Sequence, residues 1–462
     1  MKAEPTLRFL PLSDGKTPLF MWAMIPLFKI FYDPLFAGRF LSIISGFGTL
    51  LGVAFLGWKF FSPKVGLWAS FLVAILPFSV FFDRMALVDS MLTAFTIWSL
   101  NLALLLIKYP RIDLAMFLGY ALGGGLLTKT PAMFNVLVVP TTLVTFEWFN
   151  KSRQTKFLRI FGLWILAFAI TLIIYNILKL GPGFVNLSSR NQDYIFSPWA
   201  LIDRPLDPFI PHFRDLMDWF PKLLTLPIMF LIPVGVILSL VKRNKYALTI
   251  LLWSLVPLII QMFLLKTFTA RYILFSIPPL LVLGAWAIAT LLERINFNKK
   301  LSIMAAIVVL AVLPLKIDFN LLISPEKVDL PRSERSGYFE AWTSGYGFPE
   351  IAQYLIDESQ KGLVIVGTEG SFGTLPDGLQ IYLDNHSHIA PKEQQVLIIG
   401  GVATVSAQIR TAAKEHLTFY IANKSRFRGA ENLELIKEFP KAKGPDRPQD
   451  AILFYRVLPE EN

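Results

Sequence analysis

The sequence predicts an α-helical polytopic membrane bundle of about ten transmembrane helices, followed by a small C-terminal α/β domain on the extracytoplasmic side. Three observations carry this. Hydrophobic residues make up 54% of the 462 and charged residues 17%, a balance too apolar for an ordinary soluble fold. The apolar residues gather into ten runs close to the ~20 residues that a spanning helix requires. Beyond Ser324 the runs shorten to strand length, as "LVIV", "VLII", "LTFYIA" and "AILFYRV" at 363–366, 396–399, 417–422 and 451–457, with helix-like stretches at 349–359 and 405–416 between them.

The first segment, 1–37, is a loop with an interfacial helix. Residues 1–18 are mixed polar, which excludes a cleaved signal peptide at this start. The run "LFMWAMIPLFKIFYDPLF" at 19–36 is aromatic but broken by Pro26, Lys29, Asp33 and Pro34, so it reads as a helix lying in the membrane interface rather than a span. The bundle occupies 38–320, with spans near 38–60, 64–82, 87–107, 112–127, 131–149, 157–180, 222–241, 246–265, 271–292 and 301–317. None alternates as a membrane barrel strand would. The insert at 181–221, rich in proline, aromatics and mixed charge, reads as a partly ordered external loop able to cover a site or contact a substrate. The α/β domain takes 324–462. Its glycine-rich "GTEGSFGTLPDG" at 367–378 follows a strand but lacks phosphate-loop spacing and reads as an ordinary loop, and His386 and His388 in "DNHSH" read as a solvated turn.

The formal charge of +11 comes largely from short turns between spans, so it reports orientation rather than nucleic acid, for which no basic tail or reading motif is present. With no cysteine there is neither a disulfide framework nor a thiolate metal site, and nothing in the sequence calls for a metal or cofactor. Turns holding Lys59 and Lys64; Lys108 and Arg111; Lys151, Arg153, Lys156 and Arg159; Lys242, Arg243 and Lys245; and Arg294, Lys299 and Lys300 form the cytoplasmic set. Ten spans then place both termini outside. Translocating a segment with Lys2, Arg8 and Lys16 and no preceding helix runs against the insertion bias, so a further helix upstream of Met1 is expected.

Four cations, Lys16, Arg84, Lys129 and Arg271, fall at the outer ends of apolar segments, where positive residues should be scarce. Charge at membrane depth costs roughly 2.5–3.5 kcal/mol at a helix centre and less near the ends, so such groups pair or line a cavity. A lipid-linked phosphate would supply the shared anion. Taken singly, Lys129 and Arg271 can snorkel to headgroups and Arg84 can pair with Asp83 or Asp89. Asp89 is stabilised in the first turn of its helix by the macrodipole, and is also placed to orient an acceptor hydroxyl or take its proton. Asp14 offers similar chemistry, or serves as the turn residue of "SDGK".

"DGKTPLFMW" (14–22), "GRFLSIISG" (38–46), "RMALVDSMLTAF" (84–95), "GLLTKTPA" (125–132) and "ARYILFSIPPLLVL" (270–283) resemble, in order, landmarks of the GT-C membrane glycosyltransferases, which include protein O-mannosyltransferases and aminoarabinose-to-lipid A transferases. The likeness spans most of 14–292. It implies a polyprenyl-phosphate sugar donor and an active site facing the cell exterior. Lys16 and Arg271 would contact the donor phosphate, Lys129 and Arg84 would assist, and Asp89 matches an acidic position of the second external loop. The family's leading acidic residue lies farther ahead of the lysine than this chain reaches, where only Glu4 and Asp14 precede Lys16. The expected function is transfer of a sugar from the polyprenyl-phosphate donor to an extracytoplasmic acceptor, a lipid, glycan or protein hydroxyl. A polytopic transporter or lipid flippase is the alternative, disfavoured because the unusual charges gather at one end rather than at the midplane. A sensor whose bundle is only an anchor ranks last.

Overall fold

The computed structural model describes residues 9–149, 153–295, 298–371, 373–387, 396–401 and 403–459. By their contacts the residues divide into two compact units, Met1–Phe31 with Phe36–Pro331, and Tyr32–Leu35 with Arg332–Asn462.

The first unit is helical: α1 (Leu19–Leu27), α2 (Pro34–Phe60), α3 (Pro63–Ala74), α4 (Pro77–Phe82), α5 (Val88–Lys108), α6 (Ile112–Thr128), α7 (Met133–Val138), α8 (Arg153–Asn176), α9 (Val185–Tyr194), α10 (Ala200–Asp203), α11 (Phe209–Leu223), α12 (Leu226–Lys242), α13 (Lys245–Leu264), α14 (Ile277–Arg294) and α15 (Lys299–Ile323). Local chemistry sets several starts. The Ser62 hydroxyl accepts from Val65 N–H with Pro63 opening the first turn, and Asn244 caps α13 through Ala247 N–H.

Among the described residues six helices can cross a membrane by length and composition: α2, α5, α8 with its extension to Leu180, α13, α14 with the 3-10 turn before it, and α15. The pair α11 and α12, bent by 119°, makes a seventh if counted as one. The other three runs are present as shorter or interrupted helices. Pro77 separates α3 from α4, α6 has 17 residues, and the run at 131–149 becomes α7 flanked by 3-10 turns containing Pro131 and Pro140. Proline lacks the N–H that a continuous helix needs. The stretch at 19–36 is likewise helical only to Leu27, and α2 begins at Pro34, ahead of the expected start at 38.

Small residues bring the helices close. A Cβ on Gly52 of α2 would stand 2.5 Å from Ile97 of α5, so a side chain there would push the two apart. The approach lets Trp98 Nε1 donate to Gly48 O at 3.0 Å and Asn101 Nδ2 to Gly52 O at 2.9 Å. Between spans, where lipid supplies no hydrophobic drive, such contacts and interhelical hydrogen bonds hold the pair.

The second unit holds α16 (Arg332–Arg335), α17 (Phe348–Ser359), α18 (Leu379–Ser387) and α19 (Ala407–Ala412) around strands β1 (Val364–Glu369), β2 (Val396–Gly401), β3 (Leu417–Asn423), β4 (Leu433–Pro440) and β5 (Ala451–Val457). The order is β2-β1-β3-β5-β4; β1 is parallel to β2 and β3, and β5 is antiparallel to β3 and β4. Alternate residues face opposite sides. Val364, Val366, Phe419 and Ile421 pack with α17 and α18, whereas Ile365, Tyr420 and Ala422 pack with Val405 and with Ile409 of α19. The α/β expectation holds, with α18 and the edge strand β4 added.

Candidate active site

Three polar side chains from distant parts of the chain converge at one end of the bundle. Asp89 lies in the first turn of α5, whose N-cap region is tied to α2 by Ser42 Oγ donating to Leu87 O at 3.1 Å. Lys129 ends α6 in an extended conformation, and Pro131 keeps the helix from continuing. Lys129 Nζ reaches Asp89 Oδ1 at 2.5 Å, with the aspartate side chain 4% exposed and the lysine 22%. The ammonium also stands 4.5 Å from the centre of the Tyr272 ring, and the Arg271 guanidinium lies 5.3 Å from that ring. Arg271 and Tyr194 both fall within electrostatic range of Lys129. Beneath them Leu92, Leu126, Ala132 and Phe275 form one apolar cluster. Each is three or four residues from Asp89, Lys129 or Arg271, so this cluster fixes the three polar groups with respect to one another.

Lys16 and Asp14 reach the neighbourhood from the other side. Their turn, Leu10–Asp14, closes on Gly15, whose φ of 65° is the left-handed conformation glycine favours. It packs on α9, where Asn186 Nδ2 donates to Ser13 O at 3.0 Å. Leu12 joins Leu127, Leu178 and Leu187 in one cluster, which brings this turn beside the end of α6. Lys16 and Asp14 form an ion pair of 3.8 Å with both side chains well exposed, an arrangement worth little to stability.

Arg84 goes elsewhere. Among the described residues it forms no ion pair with Asp83 or Asp89. Its charged neighbours are Arg39 of α2 and Asp318 of α15, and its Nε is buried without a hydrogen-bond partner. Glu4 lies outside the described residues, as do the side chains of "DNHSH".

Several polar residues of this end escape notice in the sequence. Tyr272 shares a tripeptide with Arg271 yet reads as an ordinary interfacial aromatic. Tyr194 lies in the 181–221 insert, where its hydroxyl accepts from Arg190 Nη2 at 3.0 Å and its carbonyl from Lys266 N–H at 2.8 Å. Through it the insert is anchored to the segment preceding Arg271. The available signal is Arg190 and Tyr194 spaced four residues apart in an insert between two spans.

Residues 15–177 match the family described as dolichyl-phosphate-mannose-protein mannosyltransferase, and this stretch contains Lys16, Asp89 and Lys129. No curated protein matches the chain by sequence. Among solved structures the fold is similar to ArnT from Cupriavidus metallidurans in the apo state, at 14% identity and a TM-score of 0.53 over 96% of this chain and 88% of that one. The same ArnT bound to undecaprenyl phosphate is similar at 14% identity and a TM-score of 0.53 over 95% and 88%. The oligosaccharyltransferase of Archaeoglobus fulgidus, in a complex with zinc and sulfate, is similar at 11% identity and a TM-score of 0.50 over 88% of this chain and 59% of that one. The mannosyltransferase family's sequence pattern over residues 15–177 and the fold shared with these structures make the chain similar to the GT-C membrane glycosyltransferases, with apolar helices of a multi-pass membrane protein.

Proposed function

We propose that the protein transfers a sugar from a polyprenyl-phosphate donor to a hydroxyl or amine of an extracytoplasmic acceptor, with inversion at the anomeric carbon. The observation that carries this reading is the buried Asp89–Lys129 pair with Arg271 beside it. It sets two cations and one carboxylate at the end of three helices, where a lipid headgroup can enter. The solved relative bound to undecaprenyl phosphate supports a lipid-phosphate donor. That this end faces the exterior is supported by the surplus of basic residues in the opposite set of turns.

In the reaction the acceptor oxygen or nitrogen attacks the anomeric carbon and the bond from that carbon to the phosphate oxygen breaks. The electron pair stays with the phosphate, which passes from a singly charged diester to a more negative monoester. Arg271, Lys129 and Lys16 favour that added charge over the bound donor, which is the differential that lowers a barrier. Asp89 Oδ1 is occupied by the Lys129 ammonium at 2.5 Å. An incoming phosphate competes for Lys129 and loosens the carboxylate, so donor binding readies Asp89 to orient the acceptor or take its proton. Asp14, paired with the exposed Lys16, is the second carboxylate in reach of the same end. Arg84 is assigned to the donor lipid's approach along α2 and α15 rather than to the phosphate already held by Lys129.

The test is release of polyprenyl phosphate from a labelled polyprenyl-phosphate sugar by the purified protein in lipid nanodiscs. Arg271→Ala should lower turnover by ~10²–10³, the cost of removing one preorganised donor to developing negative charge, while insertion and yield are kept. Near-normal turnover of both Arg271→Ala and Lys16→Ala would withdraw the assigned roles.

A further inference from the structure

A second polar site lies wholly within the sheet unit, and the transfer reaction makes no use of it. At the carboxyl ends of the parallel strands β1 and β3 there is a cavity of about 210 Å³ lined by Trp342, Glu369, Gly370, Ser371, Leu375 and Arg426. The carboxyl ends of parallel strands are where open α/β sheets bind ligands. Here the helices that follow β1 and β2 pack on opposite faces of the sheet, which leaves the strand ends open between them.

Glu369 ends β1 and is 2% exposed. One of its oxygens is fixed: Oε1 accepts from Asn423 Nδ2 at 3.1 Å and pairs with Arg426 Nε at 3.3 Å. Asn423 is itself held by Lys441, whose ammonium donates to Asn423 Oδ1, to Ala341 O at 3.0 Å and to Asp450 Oδ2 at 3.2 Å. The other oxygen, Oε2, is buried and has no hydrogen-bond partner among the described residues. A buried acceptor left unpaired costs ~1–3 kcal/mol and more when charged, so this oxygen calls for a donor from whatever occupies the cavity. The glycine-rich stretch that follows β1, which by sequence reads as an ordinary loop, supplies the wall: Gly370 takes φ 78° and bonds back to Gly401.

The surroundings select the donor. The charged groups Glu369, Arg426, Lys441 and Asp450 balance, so neither an anion nor a cation is favoured, and the unpartnered carboxylate oxygen repels phosphate. Trp342 is 44% exposed, and the Arg426 guanidinium lies 4.4 Å from its ring centre, which joins an apolar plate to a hydrogen-bond donor. The volume falls below the roughly 300–1,000 Å³ of pockets for drug-sized ligands. We propose that this cavity binds a neutral, polyhydroxylated ligand, one sugar ring, with a hydroxyl donating to Glu369 Oε2, a second accepting from Arg426, and the C–H face of the ring against Trp342. The unit is then a saccharide-binding module separate from the transfer site.

Saturation-transfer NMR on the full-length protein in nanodiscs tests this, with methyl α-D-mannoside, methyl β-D-glucoside and methyl β-D-xyloside as probes and their fully O-methylated forms as controls without hydroxyl donors. At least one free glycoside should receive saturation and its O-methylated form should not. Trp342→Ala and Glu369→Gln should each weaken that binding by about tenfold or more, as expected for loss of one charge-assisted hydrogen bond or its stacking partner. Trp342 is partly exposed, so its replacement should leave the apparent melting temperature unchanged and keeps the test valid should Glu369→Gln fail to fold. No transfer to any of the glycosides, equal transfer to the O-methylated forms, or signals unchanged in the two variants, which would place the sugar in the bundle, would each overturn the proposal.

Discussion

Replacing Lys129 by methionine removes the cation but keeps an unbranched chain of similar length, so it isolates the charge. Asp89 is left 4% exposed with its partner gone, and breaking one side of a buried pair costs about 3–5 kcal/mol. The lysine is about one-fifth exposed, which moves the expectation to the lower end, near 3 kcal/mol. Its contact with Tyr272 at 4.5 Å contributes ~0.5–2 kcal/mol of that. Asp89→Asn alone should cost about 2–3 kcal/mol by leaving the ammonium facing an amide. Once both charges are gone neither is stranded, so the double variant should be no worse than the poorer single one, giving a coupling of about 2–3 kcal/mol. The exposed Lys64–Glu293 pair, at 2.8 Å with both side chains more than half exposed, is the internal control and should couple by less than ~1 kcal/mol. Apparent melting of the four proteins in lipid nanodiscs reads the cycle, and turnover is measured beside it. If the Asp89 and Lys129 effects add to within ~0.5 kcal/mol, the two groups do not hold each other, and the account of a phosphate competing for Lys129 fails with them.

At the α2–α5 crossing, Gly52→Val should destabilise the protein by ~1–3 kcal/mol, because the new side chain meets Ile97 at once; unchanged melting would mean the helices separate freely. In the sheet unit, burial pushes the Tyr420 phenol above its ordinary 10.0. The folded chain therefore keeps a proton that the unfolded chain gives up, and the stabilisation is complete below pH 10 and lost as pH rises through the higher folded value. Stability should fall from about pH 10 upward, and Tyr420→Phe should flatten that fall in melting curves followed between neutral and alkaline pH. The native chain has no cysteine, so single cysteines report sidedness directly. Ser425→Cys should react with an impermeant maleimide in intact cells and Lys245→Cys only after the membrane is opened, and the reverse pattern would invert the orientation.

The bundle was legible because lipid imposes a one-dimensional requirement, a long apolar run, that a sequence displays openly. Where proline interrupts such a run, as at Pro77, Pro131 and Pro140, hydropathy still registers a span while the backbone breaks into short helices, so the number of runs was readable and their continuity was not. Strands β1, β3 and β5 announced themselves as short apolar runs because both faces of the sheet are covered. β4 did not, since "LELIKEFP" is an edge strand with most of its side chains exposed or half-exposed, and its polarity reads as a loop. The cost of placing Asp89, Lys129 and Arg271 at span ends was visible in the same way. The partners were not, because Asp89 and Lys129 are 40 residues apart and pairing at that distance depends on which helices pack together.

Two of the buried carboxylates show what the structure adds to that cost. Asp89 and Glu369 are equally enclosed, at 2% exposure each, yet the sequence singles out Asp89 at a span end and passes over Glu369 as part of a loop. Asp89 is closed by a lysine, and that pairing explains its burial without any ligand, so its part in chemistry has to come from a competitor for Lys129. Glu369 is held on one oxygen by a chain of Asn423, Lys441 and Asp450 and is open on the other. A network that rigidifies a carboxylate while leaving half of it unpaired adds nothing to stability at that oxygen. Pairing thus separates a charge that folding alone accounts for from one that requires an occupant. By that criterion Arg84, buried at Nε and facing Asp318 with its own unpartnered Oδ1, belongs with Glu369 rather than with Lys129: two opposite charges within range of each other that leave hydrogen-bonding capacity for a polar group between them.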